Sequence, residues 1–526
     1  MDVTPVGQTA SSAGNPAPLV RIFNRIFSRH AMDIALLMIV PMLIAPTLNF
    51  SRTLMVDPDI WWHLADARLL LTTHHFIQTD PYSFIVVGQR WLNWEWLAEL
   101  PYWFSYQAFG LRGIYLVTWL VMCANALFLY WRGYRLSRHA GAALWAAAIG
   151  IVLIMVNSGP RTIAIAYLAM SAELLILETV EQGKVWLLWL LPPLFCLWIN
   201  LHGTWLIGIV LLALYIACGL FQLKLGVFEQ EAFTASQRNR MFAVLAASVA
   251  ALIVNPYGWR LMWEPFDMAL KQQASLSYIG EWQPLNLSMG EGKFAVAAIF
   301  LMVLANGVRS RKWKVYEFAF IFLGWYAAFA HLRFLFFAAV LTTPMLARDF
   351  ARVFCIESDE KTIPAMNALM VAGAVCVIFF MFPKEAELKK MQAMMFPMKT
   401  IQAIQPGWRT LNWDYLGGMM DFQSKPSAFD TRLDVFEHAG VLPGYLAAIK
   451  GMYLFEVIEK YRIDHALIQE STPISYLLKH APGWHIAMRE EAWNGDDYVL
   501  YAKDSQPTPV STSGSPGTAA ANQPRP

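Results

Sequence analysis

The chain has 526 residues, of which 57% are hydrophobic and only 15% carry a charged side chain, and its mean hydropathy is +0.40. Soluble chains carry roughly 25% charged residues, so this composition excludes an ordinary soluble protein. The formal net charge is +2, which gives no reason to expect a nucleic-acid partner. The sequence therefore predicts a membrane protein whose first partner is the lipid bilayer.

The apolar runs predict a polytopic α-helical membrane protein with about eleven transmembrane helices. Residues 1–30 form a small, polar leader that lacks the charge pattern of a signal peptide, and we expect this leader to be disordered. The transmembrane module follows at 31–382. Its predicted spans lie near 32–50, 113–131, 140–157, 162–180, 185–200, 203–221, 241–257, 294–308, 315–331, 333–348 and 364–382.

The Lys and Arg residues of the loops predict the orientation of the chain. With the N-terminus in the cytoplasm, the inner side carries 17 of these residues, and the outer side before Pro383 carries 9. This orientation makes 51–112 a large first outer loop. Within it, residues 95–110 are expected to form a juxtamembrane helix on the outer surface instead of a further span.

The C-terminal segment 383–504 has the composition of a soluble protein, and an odd number of spans places it outside the cytoplasm. We predict an extracytoplasmic α/β domain here. Its strand-like runs are His465–Gln469 and Tyr498–Ala502, and its helical runs are Leu442–Lys450 and Tyr453–Tyr461. The tail 505–526 is rich in Pro, Ser, Thr, Gly and Ala, so we expect it to be disordered.

Two carboxylates, Asp57 and Asp59, follow the first predicted span on the outer side. Such a pair can share a divalent cation through hard oxygen ligands, which makes Mg²⁺ or Mn²⁺ the cofactors to consider. One carboxylate can instead serve as a general base. The alternative is a solvated acidic turn, but the aromatic residues Trp61 and Trp62 and the imidazole of His63 follow directly and favour a functional site.

Further polar residues fall on the same predicted side. Arg161 and Arg333 lie at outer helix ends, where their guanidinium groups can clamp a phosphate, and Arg260 is a third candidate. His63 and His202 are the strongest histidine candidates for binding a sugar or phosphate. Arginines at helix ends also snorkel to the interface, and histidines at a membrane edge often make structural hydrogen bonds, so both interpretations stay open.

In this order, the motifs resemble those of the GT-C superfamily of membrane glycosyltransferases, in particular its bacterial multi-spanning members. The resemblance extends over 32–502. It rests on Asp57-Pro-Asp-Ile-Trp-Trp-His63, Thr79-Asp-Pro-Tyr-Ser83, Trp94-Glu-Trp-Leu97, Asn200-Leu-His-Gly203, Asn255-Pro-Tyr-Gly258, Glu281-Trp-Gln-Pro284, Asn412-Trp-Asp-Tyr-Leu-Gly-Gly418, Phe429-Asp-Thr-Arg-Leu-Asp434 and Tyr461-Arg-Ile-Asp-His-Ala-Leu-Ile468. Similar proteins often carry Gly where this chain has Thr431, and we interpret Arg432 and Asp434 as structural.

The resemblance implies a GT-C-like fold in the bacterial inner (plasma) membrane, with a polyprenyl-phosphate or polyprenyl-diphosphate sugar as donor. It implies inverting transfer of the sugar to an acceptor glycan, lipid or protein on the extracytoplasmic side. Asp59, in preference to Asp57, is then the catalytic base or metal ligand, and Arg161 or Arg333 balances the charge of the departing lipid phosphate. Metal use varies across the superfamily, so Mg²⁺ or Mn²⁺ is left open.

Three other interpretations remain. A transporter or flippase for a lipid-linked saccharide would use the same arginine and aromatic side chains without making bonds, with Glu173 as its intramembrane candidate. An O-antigen polymerase or ligase would depend on outer-loop Arg and His residues. A non-catalytic assembly protein would use 383–504 as a docking module.

Overall fold

The structure is a computed structural model, and it describes residues 23–24, 26–47, 57–156, 159–353, 363–492 and 494–504. The predicted tail, most of the predicted leader and residues 51–56 of the first outer loop lie outside the described residues. At the end of the leader, residues 23–24 and 26 are helical, and the first long helix begins at Arg29.

Fifteen helices precede the C-terminal segment in the described part of the chain. In chain order they are α1 Arg29–Thr47, α2 Asp59–Thr73, α3 Trp96–Phe109, α4 Leu111–Ser137, α5 Ala140–Met155, α6 Ile163–Val180, α7 Leu191–Ile199, α8 Trp205–Cys218, α9 Ala235–Ala251, α10 Trp259–Lys271, α11 Gln273–Tyr278, α12 Gly290–Val308, α13 Val315–Ala330, α14 Leu335–Val353 and α15 Pro364–Met381. Short 3₁₀ turns lie at Val185–Leu190, Gly280–Trp282 and Leu332–Phe334, and a small hairpin is formed by β1 Leu223–Leu225 and β2 Phe228–Gln230.

Each of the eleven predicted spans overlaps one of these helices, although the helix at the predicted span 241–257 begins and ends six residues earlier. The four helices that match no predicted span are α2, α3, α10 and α11. Five helices of the described residues are long and apolar enough to cross a membrane: α4, α6, α12, α14 with its preceding 3₁₀ turn, and α15. On α15, Phe379 and Phe380 remain 77% and 81% exposed, which is how an apolar helix faces lipid. The structure thus supports a membrane-embedded helical protein, and the number of crossings stays a prediction.

Small residues allow the helices at the centre of the bundle to approach closely. A side chain at Gly150 of α5 would lie 2.2 Å from Oγ1 of Thr343 in α14, and one at Gly133 of α4 would lie 3.0 Å from Cβ of Ala347. Close backbone approach through small residues is the usual way in which membrane helices pack.

The helix predicted at 95–110 is present as α3, which is not among the candidate membrane spans of the described residues, and its place at the membrane surface stays a prediction. Its buried residues include the polar side chains Glu99 and Tyr102. A buried carboxyl group on a helix of the loop needs partners, and those partners belong to the candidate site described below.

The C-terminal segment is an α/β unit with a four-stranded sheet. Its elements are α16 Glu385–Met395, α17 Met398–Ala403, β3 Thr410–Asn412, α18 Asp414–Phe422, α19 Leu433–His438, α20 Leu442–Ala448, α21 Leu454–Lys460, β4 His465–Gln469, α22 Pro473–His480, β5 Trp484–Glu490 and β6 Tyr498–Lys503. The strand order is β3-β4-β6-β5, with β3 parallel to β4 and the other pairs antiparallel. The predicted strands and helices are confirmed as β4, β6, α20 and α21, whereas the sequence did not predict β3 and β5.

This C-terminal unit packs directly on the segment 57–95, which the sequence predicts to be part of the first outer loop. A side chain at Gly418 of α18 would lie 2.9 Å from the carbonyl oxygen of Pro58 and 3.3 Å from the backbone nitrogen of Trp62. Trp62 and Trp91 of the loop share a buried apolar cluster with Leu411 and other residues of the C-terminal unit. The loop and the C-terminal unit therefore jointly enclose the region around Asp59.

Candidate acid–base site

Asp57 and Asp59 are placed by the first turn of α2, and they have different surroundings. Oδ1 of Asp57 accepts a hydrogen bond from the backbone N–H of Asp59 at 3.0 Å, which satisfies one of the free donors at the helix start. Oδ2 of Asp57 accepts a hydrogen bond from Nε of Arg161. Asp57 is therefore buried, ion-paired and engaged through both oxygens.

Asp59 has the properties expected of a proton acceptor. Burial raises the pKa of Asp59 to about 7, and the adjacent carboxylate of Asp57 acts in the same direction. Arg161 and the hydrogen bond with Thr431 oppose this rise without cancelling it. General bases work best when their pKa lies near the operating pH, and strongly shifted carboxyl groups are common in functional sites.

A second carboxylate, Glu281, joins the two predicted phosphate-binding arginines. Nη1 of Arg161 donates to one oxygen of Glu281, and Nη1 of Arg333 donates to the other. Burial acts to raise the pKa of Glu281, but Arg161 and Arg333 prevail and hold it at about 2. The structure thus brings two arginines from distant segments onto one anion, with Arg333 also lying over the ring of Trp282 at 5.3 Å.

A neutral histidine pair lies beside this cluster and meets at Glu95. The carboxylate oxygens of Glu95 lie 3.3 Å from Nε2 of His63 and 3.2 Å from Nε2 of His202. Glu95 also accepts a hydrogen bond from Thr162, the residue after Arg161. Burial lowers the pKa of both histidines well below the usual range and raises the pKa of Glu95, so both imidazoles are neutral at pH 7.

The remaining ring nitrogens fix the two imidazoles in place. Nδ1 of His63 lies 2.9 Å from the carboxyl group of Glu99, which is held in turn by the amide of Asn93. Nδ1 of His202 accepts the backbone N–H of Thr204 at 3.1 Å, so the Nε2 of His202 carries the proton and donates to Glu95. His63 and His202 are therefore held in fixed orientations next to the charged groups of the site.

Arg260, the third predicted phosphate-binding residue, lies elsewhere. It is exposed near the start of α10. Within the part of the chain that the structure describes, no hydrogen bond or ion pair joins Arg260 to Asp57, Glu281 or Glu95. The structure therefore brings together six of the seven predicted site residues and leaves this one outside.

The side chains at Asp57 and Asp59 do not fit a divalent-cation site. Both oxygens of Asp57 are occupied, one of them by the positive charge of Arg161, and Mg²⁺ requires several oxygen ligands free to approach it. The described residues contain no group of three His, Cys, Asp or Glu side chains placed to hold a metal ion. The role of Mg²⁺ or Mn²⁺ stays a prediction, and we assign no step to it.

Sequence analysis missed three members of the site: Glu95, Glu281 and Thr431. Glu95 and Glu281 lie in motifs to which the sequence analysis assigned no role. The two arginines at predicted outer helix ends could have indicated that a carboxylate counter-ion lies near them. Thr431 comes from the C-terminal unit, where its hydroxyl also accepts the indole N–H of Trp62 at 3.2 Å. Its neighbour Arg432 is buried between Asp80 and Asp430, which supports the structural role expected for it.

No protein-family model matches this chain, and no curated protein does either. The class of the protein is therefore defined by the fold and the site alone. They describe a helical, membrane-embedded protein with a carboxyl group of raised pKa next to two arginines that share the carboxylate of Glu281.

Proposed function

We propose that this chain is a glycosyltransferase of the GT-C type, which moves a sugar from a polyprenyl-phosphate donor to an acceptor glycan, lipid or protein. The proposal includes the predicted bacterial plasma membrane, the cytoplasmic N-terminus and an extracytoplasmic site. The observation that carries it is the proximity of Asp59, whose pKa is raised to about 7, to Arg161, which acts on that carboxyl group and shares Glu281 with Arg333. A base and an anion site side by side are the two groups that such a transfer requires.

The reaction balances on these residues. The carboxylate of Asp59 takes the proton of an acceptor hydroxyl, and the acceptor oxygen attacks the anomeric carbon of the donor. The bond between that carbon and the phosphate oxygen breaks, and its electron pair stays on the lipid phosphate. Attack from the face opposite the leaving phosphate inverts the anomeric carbon.

The two arginines supply the charge that the leaving phosphate needs. In this structure Glu281 occupies both guanidinium groups, so a donor phosphate must take its place or share it. Guanidinium groups bind phosphate oxygens in the same geometry as carboxylate oxygens, which makes this exchange chemically simple. The neutral His63 and His202 add no charge that would disturb the exchange.

One observation favours the second candidate, a transporter or flippase for lipid-linked saccharides. Glu173 is fully buried in α6, and within the described residues neither of its carboxyl oxygens has a hydrogen-bond partner. It lies against Gly208 of α8, where a side chain would collide with it. An ionisable residue inside a predicted span is a candidate for ion or substrate passage.

Donor cleavage by purified protein separates the two functions. Wild type, Asp59→Asn, Glu173→Gln and the exposed control Glu456→Gln would be given a panel of polyprenyl-phosphate sugars, with candidate acceptors, in Mg²⁺ and in chelator. Release of free polyprenyl phosphate is measured. We expect release by wild type and both of the other variants, and loss in Asp59→Asn by about 100-fold or more.

Equal release by wild type and folded Asp59→Asn would contradict the base assignment. Movement of the lipid-linked saccharide across proteoliposomes, abolished by Glu173→Gln and unaffected by Asp59→Asn, would instead establish the transporter. Because the chelator arm is included, dependence on an added cation would show directly whether Asp57 and Asp59 take a metal during turnover.

A further inference from the structure

Helix α10 carries an apolar stripe that the protein itself leaves uncovered. Trp259, Trp263, Phe266 and Leu270 follow one another at intervals of four, three and four residues, which places them on one face of the helix. Their exposed fractions are between 39% and 70%. Four large apolar side chains in a row on a solvent-facing helix are unfavourable in water.

One flank of α10 is occupied by polar contacts within the protein, and Leu261 on the side opposite the stripe is buried. Asp267 binds Lys271 at 2.7 Å and also contacts His438 of α19. Glu264 binds Arg90 of the first outer loop at 3.2 Å. The helix therefore cannot rotate its stripe inward without breaking these ion pairs.

Helix α11, which follows directly, is attached to the same part of the C-terminal unit. Glu437 of α19 accepts the backbone N–H groups of Ala274 and Ser275 at 2.8 and 2.7 Å, and it also accepts the hydroxyl of Ser275. These contacts satisfy free donors at the start of α11. Thus α10 and α11 hold α19 at two consecutive residues, Glu437 and His438.

The stripe continues an apolar surface that begins at the end of α9, a predicted span. Ile253 and Val254, just beyond α9, are also strongly exposed, and Trp259 follows after the Asn255-Pro-Tyr-Gly258 turn. Tryptophan is enriched where membrane meets water, and a helix with a large apolar face and a polar opposite face lies in that interface. Arg260, exposed beside the stripe, is suited to an anionic lipid headgroup.

We propose that α10 lies in the surface of the bilayer, with lipid covering its apolar stripe, and holds the C-terminal unit in place over the acid–base site. Thr431 lies two residues before α19 and hydrogen-bonds to Asp59, so the contacts of α19 with α10 and α11 hold the irregular segment that carries Thr431. Lipid contact of α10 thereby supports the position of Thr431. This inference does not depend on sugar transfer.

Spin labels on single cysteines test the lipid contact in proteoliposomes. Labels replace residues 259, 263, 266 and 270 of the stripe and the exposed residues 260 and 271 in a background whose five cysteines are alanine. We expect the stripe labels to collide more with oxygen than with a water-soluble nickel chelate, and labels at 260 and 271 to show the reverse. A photo-reactive phenylalanine placed in the otherwise wild-type chain provides a second test. At position 263 we expect cross-linked adducts with the mass of a lipid, and at position 271 we expect none.

Two results would overturn the proposal. Stripe labels as accessible to nickel as those at 260 and 271 would place the stripe in water. Spin–spin broadening that disappears on dilution with unlabelled protein would show that a second copy, and not lipid, covers the stripe. Neither result bears on donor cleavage, so the two proposals fail separately.

The consequence for Thr431 is measured by hydrogen exchange of residues 431–440 in proteoliposomes. Trp263→Glu with Leu270→Glu places two charges on the stripe, and we expect faster exchange in this segment than in wild type. Ala269→Gln, at an exposed position of the same helix but off the stripe, is the control and should leave exchange unchanged. Unchanged exchange in the double variant would remove the proposed link between lipid contact and Thr431.

Discussion

Nε of Arg161 donates a hydrogen bond to Oδ2 of Asp57, a residue 104 positions earlier in the chain. This contact joins the turn before α6 to the start of α2. It also decides which of the two neighbouring carboxylates is available for chemistry, because Asp57 is neutralised by Arg161 while Asp59 is half-buried with a raised pKa. The predictions below follow from this division.

The rate of donor cleavage should depend on pH through Asp59. A general base must be deprotonated, and the pKa of Asp59 is raised to about 7. We therefore expect kcat/KM to rise tenfold per pH unit below about 7 and to level off above it. The measurement is the pH profile of polyprenyl-phosphate release. A profile that is flat between pH 5 and 8 would exclude Asp59 as the base.

The same carboxyl group should reduce stability at high pH. Because the folded-state pKa of Asp59 lies above the ordinary 3.8, its contribution is favourable below that value and is lost as the pH rises through about 7. Asp59→Asn cannot ionise, so its Tm in detergent should exceed that of wild type at pH 8, with a smaller difference at pH 5. Glu456→Gln, which removes an exposed carboxylate of α21, is the control for the loss of a surface charge.

The fold was predictable where the signal is local. The apolar runs predicted helices at all eleven positions, and the continuous apolar runs at His465–Gln469 and Tyr498–Ala502 predicted β4 and β6, because a strand in the middle of a sheet is buried on both faces. β3 has three residues and β5 is largely exposed, so neither produces an apolar run. Their place in the sheet depends on pairing with distant strands, which a local pattern does not contain.

The site was predictable in its charged residues but not in their partners. Charged residues are conspicuous in an apolar chain, because a charge in an apolar environment is costly unless it has a partner or a function. Those that the sequence analysis selected and the structure brings together are Asp57, Asp59, Arg161 and Arg333. The ion pairs of Arg161 and Arg333 with Glu281 are tertiary contacts. A local sequence pattern does not contain them, because the three residues come from three separate segments. For the same reason the sequence could not distinguish Arg260 from Arg161 and Arg333. All three are predicted on the outer side, but in the structure Arg260 lies outside the cluster.

Removing the carboxylate between the two arginines should change anion binding and stability in opposite directions. Glu281→Gln keeps the shape of the side chain but leaves Arg161 and Arg333 without their shared counter-ion. We expect polyprenyl phosphate to bind about tenfold more tightly, since one competing negative charge is gone. The measurement is inhibition of donor cleavage by added polyprenyl phosphate; weaker inhibition in the variant would contradict an anion site at these arginines.

The stability effect of Glu281→Gln has a defined pH dependence. The folded-state pKa of Glu281 is about 2, below the ordinary 4.5, so its charge stabilises the fold above pH 4.5 and this contribution is lost as the pH falls toward 2. We expect a lower Tm than wild type at pH 7 and a smaller difference at pH 4. An equal difference at both values would show that the loss is one of packing and not of charge.

The close approach of α18 to α2 should be needed for the site. A methyl group at Gly418 would lie 2.9 Å from the carbonyl oxygen of Pro58, a backbone atom that cannot move aside cheaply. Gly418→Ala must therefore separate the two helices, at a cost of about 1–3 kcal/mol, and shift the first turn that carries Asp59. Gly444→Ala in α20 is the matched control, because a methyl group there meets nothing within 4 Å. We expect Gly418→Ala to lower both Tm and donor cleavage, and Gly444→Ala to preserve both. If Gly418→Ala lowered Tm but left kcat and KM unchanged, the C-terminal unit would stabilise the loop without shaping the site at Asp59.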